Sequence, residues 1–201
     1  MNKTVILAAG DFPKKGGAAW RLLESARRVV ACDGAANAYR RRFGRWPDFI
    51  VGDLDSCRVP KSAADRLVHV AEQDDNDLSK AIAFCRARGW RDLVAVGATG
   101  RREDHTIGNV FRGLEAEVPI VSDFGVFHPV RGKVVLRTSP GTGVSVFAGD
   151  VRAKMRSKGL VWPLDDVRFA NPYVATLNRA DGCRVEVTSN VPAYVYVEDK
   201  A

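Results

Sequence analysis

Along the first 120 or so residues, short apolar runs alternate with segments whose apolar positions recur every three or four residues. The runs are Val5-Ile6-Leu7, Val29-Val30-Ala31-Cys32, Phe49-Ile50-Val51, Leu67-Val68-His69-Val70, Leu93-Val94-Ala95-Val96 and Pro119-Ile120-Val121. They show little alternation, as strands covered on both faces do in a parallel sheet. From Asp77, the positions Leu78, Ala81, Ile82 and Cys85 fall on one helical face; Asn76 or Asp77 can cap its start and Gly89 follows its end. From Asp104, Ile107, Val110, Phe111 and Leu114 repeat the pattern. Further helices are predicted around Trp20, Leu22-Leu23 and Ala26, and over Ala35 to Phe43. Strand–helix alternation of this kind predicts an α/β unit with a doubly wound, mostly parallel sheet.

After about Phe124 the texture changes. Val134-Val135-Leu136, Val144-Ser145-Val146-Phe147, Thr176-Leu177, Cys183-Arg184-Val185-Glu186-Val187 and Ala193-Tyr194-Val195-Tyr196-Val197 read as strands. Turn signals such as Pro140-Gly141-Thr142-Gly143 and Asp181-Gly182 separate them. Short strands with regular turns predict a small antiparallel β-sandwich. The expected division is an α/β domain over 1–125 and a β-sandwich domain over 126–201.

Composition narrows the class. The chain has 201 residues, 46% hydrophobic and 27% charged, which suits a globular protein with a substantial core. The net charge of +7 favours encounter with phosphate or nucleic acid without specifying a fold. No stretch reaches the ~18 apolar residues of a membrane span, so no membrane partner is expected. The run Thr4-Val5-Ile6-Leu7-Ala8 is interrupted by Asp11 and Lys14-Lys15 too early for a signal peptide. Cys32, Cys57, Cys85 and Cys183 are scattered without a C-x-x-C pair. This argues against a zinc ribbon and suits a reducing cytoplasm.

The chemistry sits in the acids that follow the predicted strands. Asp33-Gly34-Ala35 follows one, Gly52-Asp53-Leu54-Asp55 the next, and Gln73-Asp74-Asp75-Asn76-Asp77 another; Arg102-Glu103-Asp104-His105 comes after Gly97-Ala98-Thr99-Gly100. Open α/β sheets bind ligands beyond the carboxyl ends of their strands, so these loops share one edge. Crowded carboxylates need a cation, and hard oxygen donors beside substrate phosphates suit Mg2+. Gly34, Gly52, Gly97 and Gly100 allow backbone to approach a phosphate. Lys80 and Arg102 are placed to meet phosphate oxygens. Singly, Asp77 and Asp104 read as helix N-caps. Arg40-Arg41-Arg42 and Arg45 read as a solvated helix face, His69 as a core residue, and Trp20, Trp46 and Trp90 as packing residues. The chain lacks the P-loop and dinucleotide glycine motifs. Leu7-Ala8-Ala9-Gly10 is similar to the start of sugar nucleotidyltransferases, but Asp11-Phe12-Pro13 breaks that pattern. Asp53-Leu54-Asp55 is similar to the haloacid dehalogenase D-x-D, without its downstream Thr.

Four blocks, in order, resemble thiamine pyrophosphokinases: Asp33–Asn37, Pro47–Ser56, Gln73–Ala81 and Gly97–Asn109. The resemblance implies an α/β catalytic domain that binds ATP, followed by a β-sandwich that binds thiamine. It further implies a homodimer with sites between subunits, and Mg2+-dependent transfer of pyrophosphate from ATP to thiamine, giving thiamine diphosphate and AMP. Carried onto this chain, Asp53, Asp55 and Asp77 would ligate the metal, and with Asp104 form the catalytic set. Asp33, Gly34, Gln73, Asp74, Lys80, Arg102 and Asn109 would line the ATP phosphates. Gly159-Leu160-Val161-Trp162-Pro163-Leu164 is similar to the family's Gly-Leu-x-aromatic-x-Leu segment, so Trp162 would stack on thiamine, with Asn178 nearby; as a bare sequence feature Trp162 reads equally as sandwich core. Leu177-Asn178 stands where the family usually carries Ser-Asn, and Gly100-Arg101 where it carries a Gly-Gly pair. The rival readings are a hydroxymethyl-pterin pyrophosphokinase, a basic nucleic-acid-binding module and an inactive thiamine sensor. The β-rich second half opposes the first, dispersed basic residues without interleaved aromatics the second, and the complete set of acids the third.

Overall fold

A computed structural model of the chain describes residues 3–54, 59–71 and 75–199. The chain divides into two units, one of residues 1–116 with 120–123 and the other of 117–119 with 124–201.

In the first unit the elements run β1 (Thr4–Leu7), α1 (Ala18–Ser25), β2 (Arg28–Cys32), α2 (Ala35–Phe43), β3 (Phe49–Gly52), a short 3-10 helix (Lys61–Arg66), β4 (Leu67–His69), α3 (Asp77–Ala87), β5 (Leu93–Val96), α4 (Glu103–Glu115) and β6 (Ile120–Val121). The strands lie in the order β6-β5-β1-β2-β3-β4, and each neighbouring pair is parallel. In register, Ile6 faces Val30 on one side and Ala95 on the other. Every residue of β1 and β5 is buried, which is why these runs lack alternation. From β1 the chain winds outward to β2, β3 and β4, then crosses back to place β5 and β6 on the other side. The order therefore reverses between β1 and β5.

The helices start and stop for local reasons. The Asn76 side chain accepts a hydrogen bond from the Ser79 N–H and caps α3. Gly44 ends α2 at φ 70°, a conformation that favours glycine. Asp77 and Asp104 are not the caps; they lie in the first turns of α3 and α4, where a carboxylate meets the positive end of the helix dipole. The stripe on α4 is covered at Leu114, 3% exposed, but Ile107 and Phe111 remain 58% and 47% exposed. Periodicity locates an apolar stripe; how far it is covered depends on the packing partner. His69 is exposed rather than core, because β4 is the edge strand. The arginines ending α2 are solvated, and Trp20 stacks on Phe43 while Trp90 packs against Phe49 and Phe84.

The second unit is built from β7 (Gly125–Val130), β8 (Lys133–Arg137), β9 (Gly143–Ala148), β10 (Met155–Lys158), β11 (Ala175–Arg179), β12 (Arg184–Ser189) and β13 (Ala193–Glu198). One antiparallel sheet has the order β11-β9-β13-β7 and a second has β10-β12-β8. Val130, Val144, Val146 and Val195 of the first sheet share a core with Leu136, Met155, Val185 and Val187 of the second. The unit is thus a sandwich. Strands β7 and β10 are additions to the sequence-based expectation. Pro129 lies inside β7, paired opposite Tyr194, and a proline lowers the strand signal. In β10 only Met155 is apolar. Among the described residues, no helix is long and apolar enough to cross a membrane.

The middle of β1 is fully buried and paired on both sides. We expect Ile6→Ala to lower the unfolding free energy by about 2–5 kcal/mol, as buried aliphatic truncations do. Arg41→Ala on the solvated end of α2 should change it by roughly 0.5 kcal/mol or less. Denaturant unfolding followed by circular dichroism checks both.

Candidate active site

All strands of the first sheet are parallel, so the segments after β1, β2, β3, β4 and β5 emerge at one edge. That edge carries the acids. Asp33, directly after β2, is 4% exposed and holds φ 30°; its N–H donates to the Val51 carbonyl at 3.0 Å. Gly34 follows at the N-terminus of α2. Asp53, after β3, is half-buried. Asp77 opens α3, and its carboxylate lies 3.9 Å from the ammonium of Lys80, whose side chain is 5% exposed. Gly52 joins these groups. A Cβ there would stand 2.9 Å from the Asp33 Cβ and 3.4 Å from Asp77 Oδ1. Asp33 and Asp77 therefore close over the end of β3, beside Asp53. Asp55, Gln73 and Asp74 lie outside the described residues.

Cys32 Sγ donates to the Asp77 carbonyl at 3.4 Å beneath this cluster. Burial, then the Asp77 carboxylate, pushes its thiol well above the usual range, so it stays protonated and inert. Asn109 holds two segments together. Its Oδ1 accepts from Asn76 Nδ2 at 3.1 Å, and its Nδ2 donates to the Ala98 carbonyl at 2.9 Å. In this arrangement Asn109 joins the start of α3 to the loop after β5, with its amide nitrogen and oxygen both engaged.

The loop after β5 is zipped to the loop after β1. Ala8, Gly10 and Asp11 donate their N–H groups to the carbonyls of Val96, Gly97 and Thr99 at 2.9, 2.7 and 2.8 Å. Gly100, at φ 81°, packs so closely on Asp11 that a Cβ would collide with its carboxylate. Arg101 follows at φ 61° and donates from Nη1 to the Ala9 carbonyl at 3.2 Å. A side chain in this left-handed region costs on the order of 1 kcal/mol. Arg102 forks onto Asp104, from Nε at 3.1 Å and Nη2 at 2.6 Å, with both side chains exposed. The hydrogen bonds from Arg102 hold the Asp104 carboxyl down at about 2. Arg112 of α4 reaches Asp75 at 2.9 Å. Asp11 and Asp75 were not assigned to the site from the sequence, and Arg101 was noted there only as standing where the resembling family has the second glycine of a Gly-Gly pair. The turn signal of Gly10 and the glycine-rich run before Arg101 were the available clues.

The second unit presents a different surface. Trp162 is 56% exposed, so it is not part of the sandwich core. Its backbone is gripped by Asn178, 5% exposed, whose Oδ1 accepts from the Trp162 N–H at 3.2 Å and whose Nδ2 donates to the Trp162 carbonyl at 2.7 Å. A groove of about 280 Å3 is lined by Trp162, Leu164, Val174 and Leu177 among others. Leu177, at φ 64° and 85% exposed, stands beside a register shift in β11 between Ala175 and Asn178. A second groove of about 360 Å3, also lined by Leu177, includes Phe124, Val144 and Tyr196.

A strand edge lined with carboxylates and cations in a doubly wound sheet, followed by a sandwich with an exposed aromatic groove, defines a phosphate-handling enzyme class. The family comparison is specific. Residues 19–120 match the thiamin pyrophosphokinase catalytic domain, and residues 125–196 match the thiamin pyrophosphokinase substrate-binding domain. The chain belongs to the thiamin pyrophosphokinase family of enzymes. It is 31% identical to thiamin pyrophosphokinase 1 of Caenorhabditis elegans over 112 residues, covering 50% of this chain and 46% of that protein. It is 26% identical to thiamine pyrophosphokinase 1 of Arabidopsis thaliana, covering 84% and 77%. The fold is shared with thiamine pyrophosphokinase from Bacillus subtilis, at TM-score 0.72, 18% identity and coverage of 98% and 99%. It is shared too with thiamin pyrophosphokinase from Candida albicans, at 0.75, 15%, and coverage of 99% and 90%.

The exposed pair at the start of α4 gives a pH prediction. The Asp104 carboxyl is depressed in the folded protein, so its pairing with Arg102 is present above the ordinary carboxylate range and lost as pH falls through about 2. Arg102→Gln should return the Asp104 carboxyl toward the ordinary range. Carboxyl chemical shifts followed by NMR through an acid titration check this.

Proposed function

We propose that this chain transfers the pyrophosphoryl group of ATP to the hydroxyl of thiamine, yielding thiamine diphosphate and AMP. The observation that carries the reading is the succession, in one chain, of the catalytic-domain match and the substrate-binding-domain match. A hydroxymethyl-pterin substrate is disfavoured by the second match.

In this reading residues 1–125 bind ATP and residues 126–201 bind thiamine. The hydroxyl oxygen attacks the β-phosphorus, the bond from that phosphorus to the α-phosphate bridging oxygen breaks, and AMP leaves with that oxygen. Asp53, Asp55 and Asp77 hold Mg2+, directly or through water. Among the described residues no three carboxylate, imidazole or thiol groups form a ready metal centre. The donors fit the ion in kind: hard oxygens, with Asp33 and Asp77 converging over Gly52 beside Asp53. When bound, the ion neutralises charge on the phosphate oxygens. Lys80 and Arg102 hold phosphate oxygens, and Gly34, Gln73, Asp74 and Asn109 complete the phosphate site with Asp33. One acid of the cluster takes the hydroxyl proton. Asp104, held at about 2, is a weak proton acceptor, and its role is to orient Arg102. Catalysis then rests on positioning and charge neutralisation. Trp162 stacks on a thiamine ring while Asn178 fixes its backbone. The assembly is a cytoplasmic homodimer whose two equivalent sites draw on both chains.

Incubating the protein with ATP, Mg2+ and thiamine and weighing the products by mass spectrometry tests the reading. Thiamine diphosphate with AMP is expected; thiamine monophosphate with ADP, or no thiamine product, overturns it. Asp55→Asn should lower turnover by on the order of a hundredfold or more, while stability holds or rises, because one of several crowded anions is removed. Near-normal turnover at saturating Mg2+ would remove Asp55 from the metal site. Trp162→Ala should raise the thiamine KM several-fold, consistent with about 0.5–2 kcal/mol of ring or cation–π contact, and leave the ATP KM unchanged. Mixed dimers of Trp162→Ala and Asp55→Asn chains should regain part of the activity; a monomer at assay concentration refutes the shared site.

A further inference from the structure

We propose that Arg101 is an additional cation of the nucleotide site, binding the polyphosphate chain of the nucleoside triphosphate. This rests on the pyrophosphokinase reading of the same edge. The first observation is topological. The strand order reverses between β1 and β5, and open α/β sheets receive ligands in the crevice that such a reversal opens. Arg101 spans that crevice, standing on the loop after β5 and donating to the Ala9 carbonyl on the loop after β1.

The second observation is charge. The edge carries Asp11, Asp33, Asp53, Asp75, Asp77 and Asp104, and most nearby cations are already engaged. Lys80 faces Asp77, Arg102 is forked on Asp104, and Arg112 meets Asp75 and Glu115. Of these four cations, Arg101 is the one whose partner among the described residues is a neutral carbonyl. A guanidinium has five N–H donors, and this bond uses one. Its positive charge and a donor fork remain exposed to solvent, suited to paired phosphate oxygens.

The third observation is strain. Arg101 has a Cβ yet holds φ 61°, in a loop fixed just before it by Gly100 against Asp11 and by the hydrogen bonds from Gly10 and Asp11 to Gly97 and Thr99. Glycine or asparagine adopts this backbone more readily. An arginine standing at an unfavourable φ, at the mouth of the crevice, where the resembling family has glycine, is explained by what its side chain binds.

The test compares the wild type with Arg101→Gly and Arg101→Asn, both suited to the backbone, and with Arg101→Lys. Binding of Mg2+ with α,β-methylene ATP, and separately of adenosine, is measured by calorimetry, independently of turnover. Arg101→Gly and Arg101→Asn should weaken the triphosphate analogue by on the order of tenfold, leave adenosine affinity unchanged and keep or raise Tm. Arg101→Lys should fall between. Wild-type affinity for the analogue in both variants overturns the proposal. So does an equal loss for adenosine, which would make Arg101 only a strap between loops, and so does failure of the wild type to bind the triphosphate. A wild type that binds the analogue but makes no thiamine diphosphate overturns the pyrophosphokinase reading alone, and the Arg101 comparison still stands.

Discussion

Because Gly52 carries no Cβ, Asp33 and Asp77 can close over the end of β3, and the arrangement of the acidic edge follows from that closeness. Any side chain at this position would push β2's following turn away from α3. The backbone of Asp33 is already constrained, at φ 30° with its N–H bound to Val51. Positions of this kind cost on the order of 1–3 kcal/mol each and persist where the surroundings over-determine them. Here the surroundings are the fully buried strands β1 and β5 and the nearly fully buried β2. The apolar sheet interior and the strained polar edge are therefore parts of one design, the first holding the second in place.

The charges at that edge sort by burial. Lys80 is almost fully covered, and a covered ammonium requires an opposing charge, which Asp77 provides. The Arg102–Asp104 pair is open to water, where such pairs contribute about 0–1 kcal/mol. An incoming phosphate can displace Asp104 from Arg102 at little cost, whereas Lys80 cannot leave its place. The observed pairing of Arg102 is thus compatible with its assignment to phosphate: the carboxylate holds the guanidinium in a forked geometry that a phosphate can take over. Asp77, at the start of α3, meets both the positive end of the helix dipole and the Lys80 ammonium.

Much of the α/β unit was legible because its signals are local. The span Ala35–Phe43 is the whole of α2, and the helix begun at Asp77 has Asn76 as its cap. The acids could be assigned to one edge because parallel strands all end there. What was not legible depends on distant partners. The sequence placed Asn109 and Asn178 near ligands, and the structure adds that their amides tie Asn76 to Ala98 and hold the Trp162 backbone. No sequence spacing encodes bonds between segments so far apart. His69 was misplaced, and the periodicity of α4 did not say which of its apolar residues are covered, because burial depends on strand order and on neighbouring elements. Arg101 stands where the family resemblance puts the second glycine of a Gly-Gly pair, and its positive φ of 61° keeps a backbone that suits glycine; its side-chain bond to the Ala9 carbonyl was not legible from the sequence.

The sandwich unit shows how an exposed aromatic can be made rigid without being buried. A tryptophan left in water forgoes the burial that would ordinarily immobilise it. Asn178 replaces part of that restraint by binding both peptide groups of Trp162, while its own side chain is enclosed and its Oδ1 also receives the Arg179 N–H at 2.8 Å. The grip falls on the backbone, so the indole face stays open. Next to it, the irregularity in β11 turns Leu177 outward at φ 64°, as bulges re-aim side chains at the ends of paired strands. An aromatic whose backbone is fixed before a ligand arrives loses less freedom on binding. In the proposed function, recognition by this unit rests on a backbone braced by a buried amide, with β11 of the sandwich supplying the brace.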